Sequence, residues 1–299
     1  MVSGTRPLFF PAVEAWLAAE SAVQSAVLFG STARVPVEAA AADGWSDFDL
    51  HIVTTNAAGL ERTDWPRALP GWEFSLQVVR PATGGVRKAT ALFDAGQLDL
   101  ILVPAAAMRL ARLAMRCGLH HRIGFLRVAL NEMSTSLSTG YRFLKGERKW
   151  GAFYTRVAAE MPGVRLSDLE VRELANIFLC DLLWVLQKLE RGELAAAQRV
   201  LHRSLSETNF CLARELRLRR GLSLPSFGLG RRVESMHPHP PAELAWVQVS
   251  ARLDRTELVV ATWRTLDGLK GLMRELVPIW NVPAPMHALL ARYVPTPAT

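Results

Sequence analysis

The sequence predicts an α+β chain: a small mixed sheet with its helices, followed by an all-helical region. Up to about residue 104 the apolar residues fall in short runs with period two, the mark of half-buried and buried strands. From about Ala105 the period becomes 3.6, in long segments rich in Leu, Ala and Arg. Charge divides the chain at nearly the same place. Residues 1–118 hold 10 Lys/Arg against 11 Asp/Glu, a balance of −1, whereas residues 119–299 hold 25 against 17, a balance of +8. The expected domains are therefore 1–118 and 119–299.

In order along the chain, residues 11–20 read as an amphipathic helix and 25–29 as a short buried strand ended by Gly30. Residues 31–46 read as a loop closed by Asp43-Gly44. A strand follows over 48–54. Gly71-Trp72 opens the next, WEFSLQVV, which ends at the turn Pro81-Ala82-Thr83-Gly84-Gly85. Strands over 89–93 and 97–103 are separated by Asp94-Ala95-Gly96, which has hairpin chemistry, and Pro104 terminates the second. Helical segments are expected at 105–117, 121–144, 167–191, 193–220 and 241–277, with loops at 145–166 and 221–240.

Composition narrows the classes. Half of the 299 residues are apolar, enough for a large core. No apolar run approaches the ~18–20 residues that span a bilayer. The first helical stretch carries Glu14 and Glu20 and lacks a basic leader, so it is not read as a signal peptide. Cys117, Cys180 and Cys211 are too scattered for a disulfide framework, and the last two are expected in the core. A soluble, cytoplasmic protein is expected. The basic second half suits an anionic partner, nucleic acid included, although a merely solvated Arg-rich surface is the commoner meaning.

The feature that bears chemistry is a set of carboxylates in strands. Residues i and i+2 of a strand share a face, so Asp47 and Asp49 should point together while Phe48 and Leu50 enter the core. Asp99 stands alone in LDLILV, with Leu98 and Leu100 opposite it. If these two strands are neighbours, three carboxylates converge, and like charges so close repel unless cations lie between them. Mg²⁺ is the natural cation, since it takes carboxylate and phosphate oxygens together. Two such ions would clamp the attacking and leaving oxygens of a phosphoryl displacement. Gly30-Ser31, after the first strand, lets backbone N–H groups approach a phosphate and adds a hydroxyl, and Arg34 is placed to neutralise phosphate charge.

Strand–Gly-Ser–loop–Asp-x-Asp–strand–Asp resembles the nucleotidyltransferase fold of the DNA polymerase β superfamily. That pattern stands here as Phe29-Gly30-Ser31, Asp47-Phe48-Asp49-Leu50 and Leu98-Asp99-Leu100. The run from Asp64-Trp65 through ALFD (91–94) to LDLILVP (98–104), with Asn176-Ile177-Phe178-Leu179, Trp184 and Gly221-Leu222-Ser223-Leu224, is similar to the aminoglycoside 6-adenylyltransferase (streptomycin adenylyltransferase) family.

The resemblance implies Mg²⁺-dependent transfer of AMP from ATP to a hydroxyl of an aminoglycoside, a resistance activity that releases pyrophosphate. It implies that Asp47, Asp49 and Asp99 bind metal, with Asp99 nearest the acceptor hydroxyl. Ser31 and the Gly30 backbone would hold the β- and γ-phosphates. The chain departs from the family at Thr32, where an arginine is usual, and at Ile177, where an acid is expected. An aminoglycoside is a polycation, and the +8 balance of the second half keeps other acceptors in view: another small molecule, a protein side chain or tRNA. A non-catalytic nucleotide- or RNA-binding protein is the remaining reading.

Two further signals are read as structural. His237-Pro238-His239 and His120-His121 are expected to be exposed rather than metal-bound, and Arg214, Arg217, Arg219 and Arg220 to favour a helix C-terminus.

Overall fold

The computed structural model describes residues 6–33, 47–62, 65–69, 71–94, 96–138, 140–221 and 251–293. They form two compact units, Met1–Val164 and Arg165–Thr299. The fold is α+β: a six-stranded mixed sheet with its helices, then a helical region.

In the first unit the strands are β1 (Val23–Phe29), β2 (Phe48–Thr54), β3 (Phe74–Pro81), β4 (Arg87–Phe93), β5 (Gly96–Pro104) and β6 (Tyr141–Lys145), in the order β3-β4-β5-β2-β1-β6. The β2/β5 pair is parallel and in register from Phe48↔Leu98 to Thr54↔Pro104, and the other neighbours are antiparallel. β4 and β5 pair through to Phe93↔Gly96, the closure that the Asp94-Ala95-Gly96 signal requires.

Period-two patterning builds a core on each face of this sheet. On one face Leu28, Leu50, Ile52, Leu98 and Leu100 are buried with Trp16 and Leu17 of α1 (Arg6–Ala19). Trp65 joins this layer against Trp16, ring centroids 4.9 Å apart, and its indole Nε1–H donates to the Leu60 carbonyl at 2.8 Å. On the other face Val27, Val53 and Val103 are buried against α3 (Ala105–Arg116), α4 (Gly124–Leu137) and α5 (Glu147–Glu160). A short helix, α2 (Ala57–Leu60), follows β2.

The structure departs from the expected elements between 121 and 160. The segment expected to be one helix over 121–144 is α4 followed by β6, and α5 occupies part of the expected loop at 145–166. Val27 pairs with Phe143 and Phe29 with Tyr141, so β6 extends the sheet and carries the first unit past residue 118. Other expectations are corrected too. His120 is buried and its ring lies 3.8 Å from that of His121, while Cys180 is exposed and Cys211 only partly buried. His237 and His239 lie outside the described residues.

The helical unit comprises α6 (Asp168–Glu190), α7 (Leu194–Val200), α8 (Ser206–Arg219), α9 (Arg255–Leu276) and α10 (Ala284–Leu290), with a π-helical turn over Leu201–Leu205 joining α7 to α8. Phe178, Leu182, Leu212, Leu269 and Leu272 lie in its core. A capping box starts α6: Ser167 N–H donates to Glu170 Oε2 at 2.8 Å and Glu170 N–H to Ser167 Oγ at 3.3 Å. Asp254 caps α9 by accepting from Glu257 N–H. Arg219 pairs with Asp168 and Glu215, and Arg220 with Glu275, so this part of the basic run braces helices.

Gly146 turns the chain from β6 into α5 at φ +79°, where a Cβ would stand 2.2 Å from the Gln24 carbonyl oxygen of β1. Because that neighbour is backbone, it cannot move aside without breaking the β1/β6 edge. Gly146→Ala should therefore destabilise the protein by about 2 kcal/mol or more, measured from chemical denaturation.

Candidate metal centre

Strand geometry assembles the carboxylates. β2 and β5 start side by side, and Asp49 of β2 lies in register with Asp99 of β5. Asp47 precedes β2 by one residue. One carboxylate oxygen from each of the three lies within 4.8 Å of the others, a group able to hold a metal ion. Phe48 and Leu50 pack into the opposite layer, as do Leu98 and Leu100, so alternation delivers all three acids to one face.

Gly30 closes the same end of the sheet, because β1 ends at Phe29 opposite Asp49. It has φ +76°, and a Cβ there would stand 2.7 Å from Asp49 Oδ2. Glycine is thus required twice, by backbone conformation and by the carboxylate against it. Ser31 lies in the turn Gly30–Thr32, with its side chain outside the described part, and Arg34 lies outside the described residues.

The environment of Asp99 is uneven. Its side chain is 1% exposed, against 19% for Asp49. Its Oδ2 accepts from Lys88 Nζ at 2.6 Å and from Gln97 Nε2 at 3.0 Å. Its Oδ1 is buried and has no hydrogen-bond partner among the described residues. Burying a carboxylate oxygen without a partner is costly, and a hard cation binding oxygen ligands relieves that cost. All-oxygen ligation by three carboxylates fits Mg²⁺ or Mn²⁺ better than a softer metal.

Lys88 and the pair His51–Tyr154 were not among the site residues read from the sequence. Lys88, on β4, shares a face with Thr90, which stands opposite Asp99, and its Nζ is also 3.8 Å from Asp49 Oδ1. Only the strand register brings it there. His51, two residues along β2 from Asp49, shares a hydrogen bond through Nδ1 with the Tyr154 hydroxyl. Burial lowers the His51 pKa to about 4 and pushes the Tyr154 phenol up, so both stay neutral near pH 7. The face therefore runs from carboxylates through a neutral polar pair to Val53 in the core.

Two outcomes follow. Gly30→Ala should shift the Asp49 carboxylate and weaken Mn²⁺ binding about tenfold in a titration followed by electron paramagnetic resonance. Tyr154→Phe should leave His51 without its partner and cost about 1–3 kcal/mol of stability in urea unfolding.

No protein-family model matches the sequence, and no curated protein does. Among solved structures the chain is similar to a nucleotidyltransferase-like protein from Exiguobacterium sibiricum, with 12% identity and a TM-score of 0.32 over 98% of this chain and 86% of that one.

Proposed function

We propose that the chain is a Mg²⁺-dependent nucleotidyltransferase that moves AMP from ATP to an acceptor hydroxyl and releases pyrophosphate. The observation that carries this is Asp99: a buried carboxylate with one oxygen unpartnered among the described residues, facing Asp49 across a parallel strand pair with Asp47 beside them. A site for structural acids would satisfy that oxygen internally, whereas a site for a cation leaves it to be completed.

Asp47, Asp49 and Asp99 would hold the metal, in the two-ion arrangement expected for this chemistry. When bound, Mg²⁺ neutralises phosphate charge and orients the α-phosphate for in-line displacement. The Gly30 backbone would approach the β- and γ-phosphates, aided by the Ser31 hydroxyl, with Arg34 as a further phosphate contact. The acceptor oxygen attacks the α-phosphorus, the bond to the pyrophosphate oxygen breaks, and the acceptor proton leaves toward a carboxylate such as Asp99. Most of the rate would come from position and electrostatics, since no covalent enzyme intermediate is needed.

The acceptor proposed is an aminoglycoside such as streptomycin, from the sequence resemblance. One observation favours the second reading, the same chemistry on another acceptor. Several acids of the helical unit that a polycation would need are already engaged. Glu215 is buried against Arg165 and Arg219, Asp168 pairs with Arg219, Glu170 completes the capping box, and Asp181 accepts from Ser204. With a balance of +8 over 119–299, an anionic acceptor such as tRNA becomes the alternative.

The test is incubation with labelled ATP, Mg²⁺ and a panel holding streptomycin, other aminoglycosides and tRNA. Label should pass to streptomycin, and Asp47→Asn or Asp99→Asn should lower transfer by about 10³-fold, the several kcal/mol that metal charge supplies. Transfer to tRNA alone would replace the acceptor and keep the chemistry. Nucleotide binding without pyrophosphate release on any acceptor would sink catalysis and leave a binding protein.

A further inference from the structure

We infer that Lys88 is an exchangeable counter-cation of the carboxylate triad, holding Asp99 until a divalent ion and a nucleotide phosphate displace it. The inference rests on the metal-binding reading above and adds to it a means by which loading is controlled.

Geometry comes first. Lys88 Nζ stands 2.6 Å from Asp99 Oδ2 and 3.8 Å from Asp49 Oδ1, so one ammonium bridges the two acids that face each other across β2 and β5. A Mg²⁺ or Mn²⁺ ion needs such oxygens at about 2.1 Å. The ammonium and a divalent ion cannot hold the same two oxygens together, since the distances overlap and the two positive charges repel. Metal binding through these atoms therefore moves Lys88, and an ion seated first on Asp99 Oδ1 meets the repulsion of an ammonium held on the other oxygen of the same carboxylate.

The side chain is suited to such a move. It comes from β4, the strand beside β5, on a flexible four-carbon stem, and is 30% exposed while Asp99 is 1% exposed. The ammonium thus has a route to solvent from a buried partner. Gln97 Nε2 keeps its own bond to Asp99 Oδ2, so the carboxylate is not left loose when Lys88 departs. A permanent brace would be expected to satisfy Asp99 fully, but its Oδ1 has no partner among the described residues while Lys88 is in place. A triphosphate arriving with the metal offers the released ammonium a new anion, which couples the two binding events.

The experiment measures Mn²⁺ affinity by electron paramagnetic resonance, with and without a non-hydrolysable ATP analogue, in the full chain and in Lys88→Met and Lys88→Arg. Lys88→Gln replaces the Met variant if that one fails to fold. Removing the charge should tighten Mn²⁺ binding without nucleotide about tenfold, because a cation that competes for the same oxygens and repels the ion is gone. Lys88→Arg should bind no tighter than wild type. The gain in Mn²⁺ affinity that the analogue confers should shrink in Lys88→Met. Without metal that variant should also melt lower, with a larger upward shift on adding Mn²⁺. Mn²⁺ affinity equal to or weaker than wild type in Lys88→Met would overturn the exchange and leave the metal site standing. Absence of Mn²⁺ binding in every chain would overturn both.

Discussion

The parallel, in-register pairing of β2 with β5 is the constraint on which the site depends. In a parallel pair both strands run the same way, so their starting ends meet at one edge of the sheet. Asp49 and Asp99 therefore face each other at those ends, with Asp47 just before β2. An antiparallel partner would have carried Asp99 to the far end, and a one-residue slip would have turned it into the apolar layer. The register is fixed by what lies beneath: Leu50, Ile52, Leu98, Leu100 and Leu102 are all buried on the opposite face. Core packing on one side of the sheet thus sets the electrostatics on the other.

Three carboxylates brought together this way must be reconciled with one another, and the chain does so by several local means. Gly30 removes a side chain that would collide with Asp49 Oδ2, which brings backbone close to the acids. Lys88 and Gln97 hold one oxygen of Asp99 while the other has no partner among the described residues. His51 is kept neutral by burial and bonded to Tyr154, so it brings no charge beside the acids near pH 7. Among the described residues the balance is incomplete at Asp99 Oδ1, in a group of acids able to hold a metal ion.

How much of this can be read from the chain depends on range. Five of the six strands show in the period-two runs, and the shared face of Asp47 and Asp49 follows from alternation alone. The nearness of Asp99 is conditional on strand order, which a single sequence states only through resemblance. β6 escapes because YRFLK is a short edge strand between helices, with Tyr141, Phe143 and Leu144 partly buried on both sides, so neither period dominates. Its place is set by Gly140 and Gly146, at φ +109° and +79°, and by its pairing to β1. Lys88 is invisible for another reason: in RKAT it reads as an ordinary solvated lysine, and only its position diagonal to Asp99 across the β4/β5 ladder gives it a role.

The helical unit shows why acidic residues in a sequence are weak evidence for a cationic ligand. Glu215, 2% exposed, accepts from Arg165 and Arg219 side chains and from the Leu166 N–H at 3.1 Å. Removing both arginines would strand charge on a buried carboxylate, which argues that these groups hold α8 to the start of α6 rather than await a ligand. Asp168, Glu170 and Asp181 are similarly held by partners within the unit. Glu173 remains exposed, and Ile177, one turn further along α6, is 54% exposed where the resemblance leads one to expect an acid. The carboxylate cluster of the sheet and the acids of the helical unit are therefore different cases. The first are three acids that the sheet forces together into a group able to hold a cation, whereas most acids of the second already hold partners within their own unit.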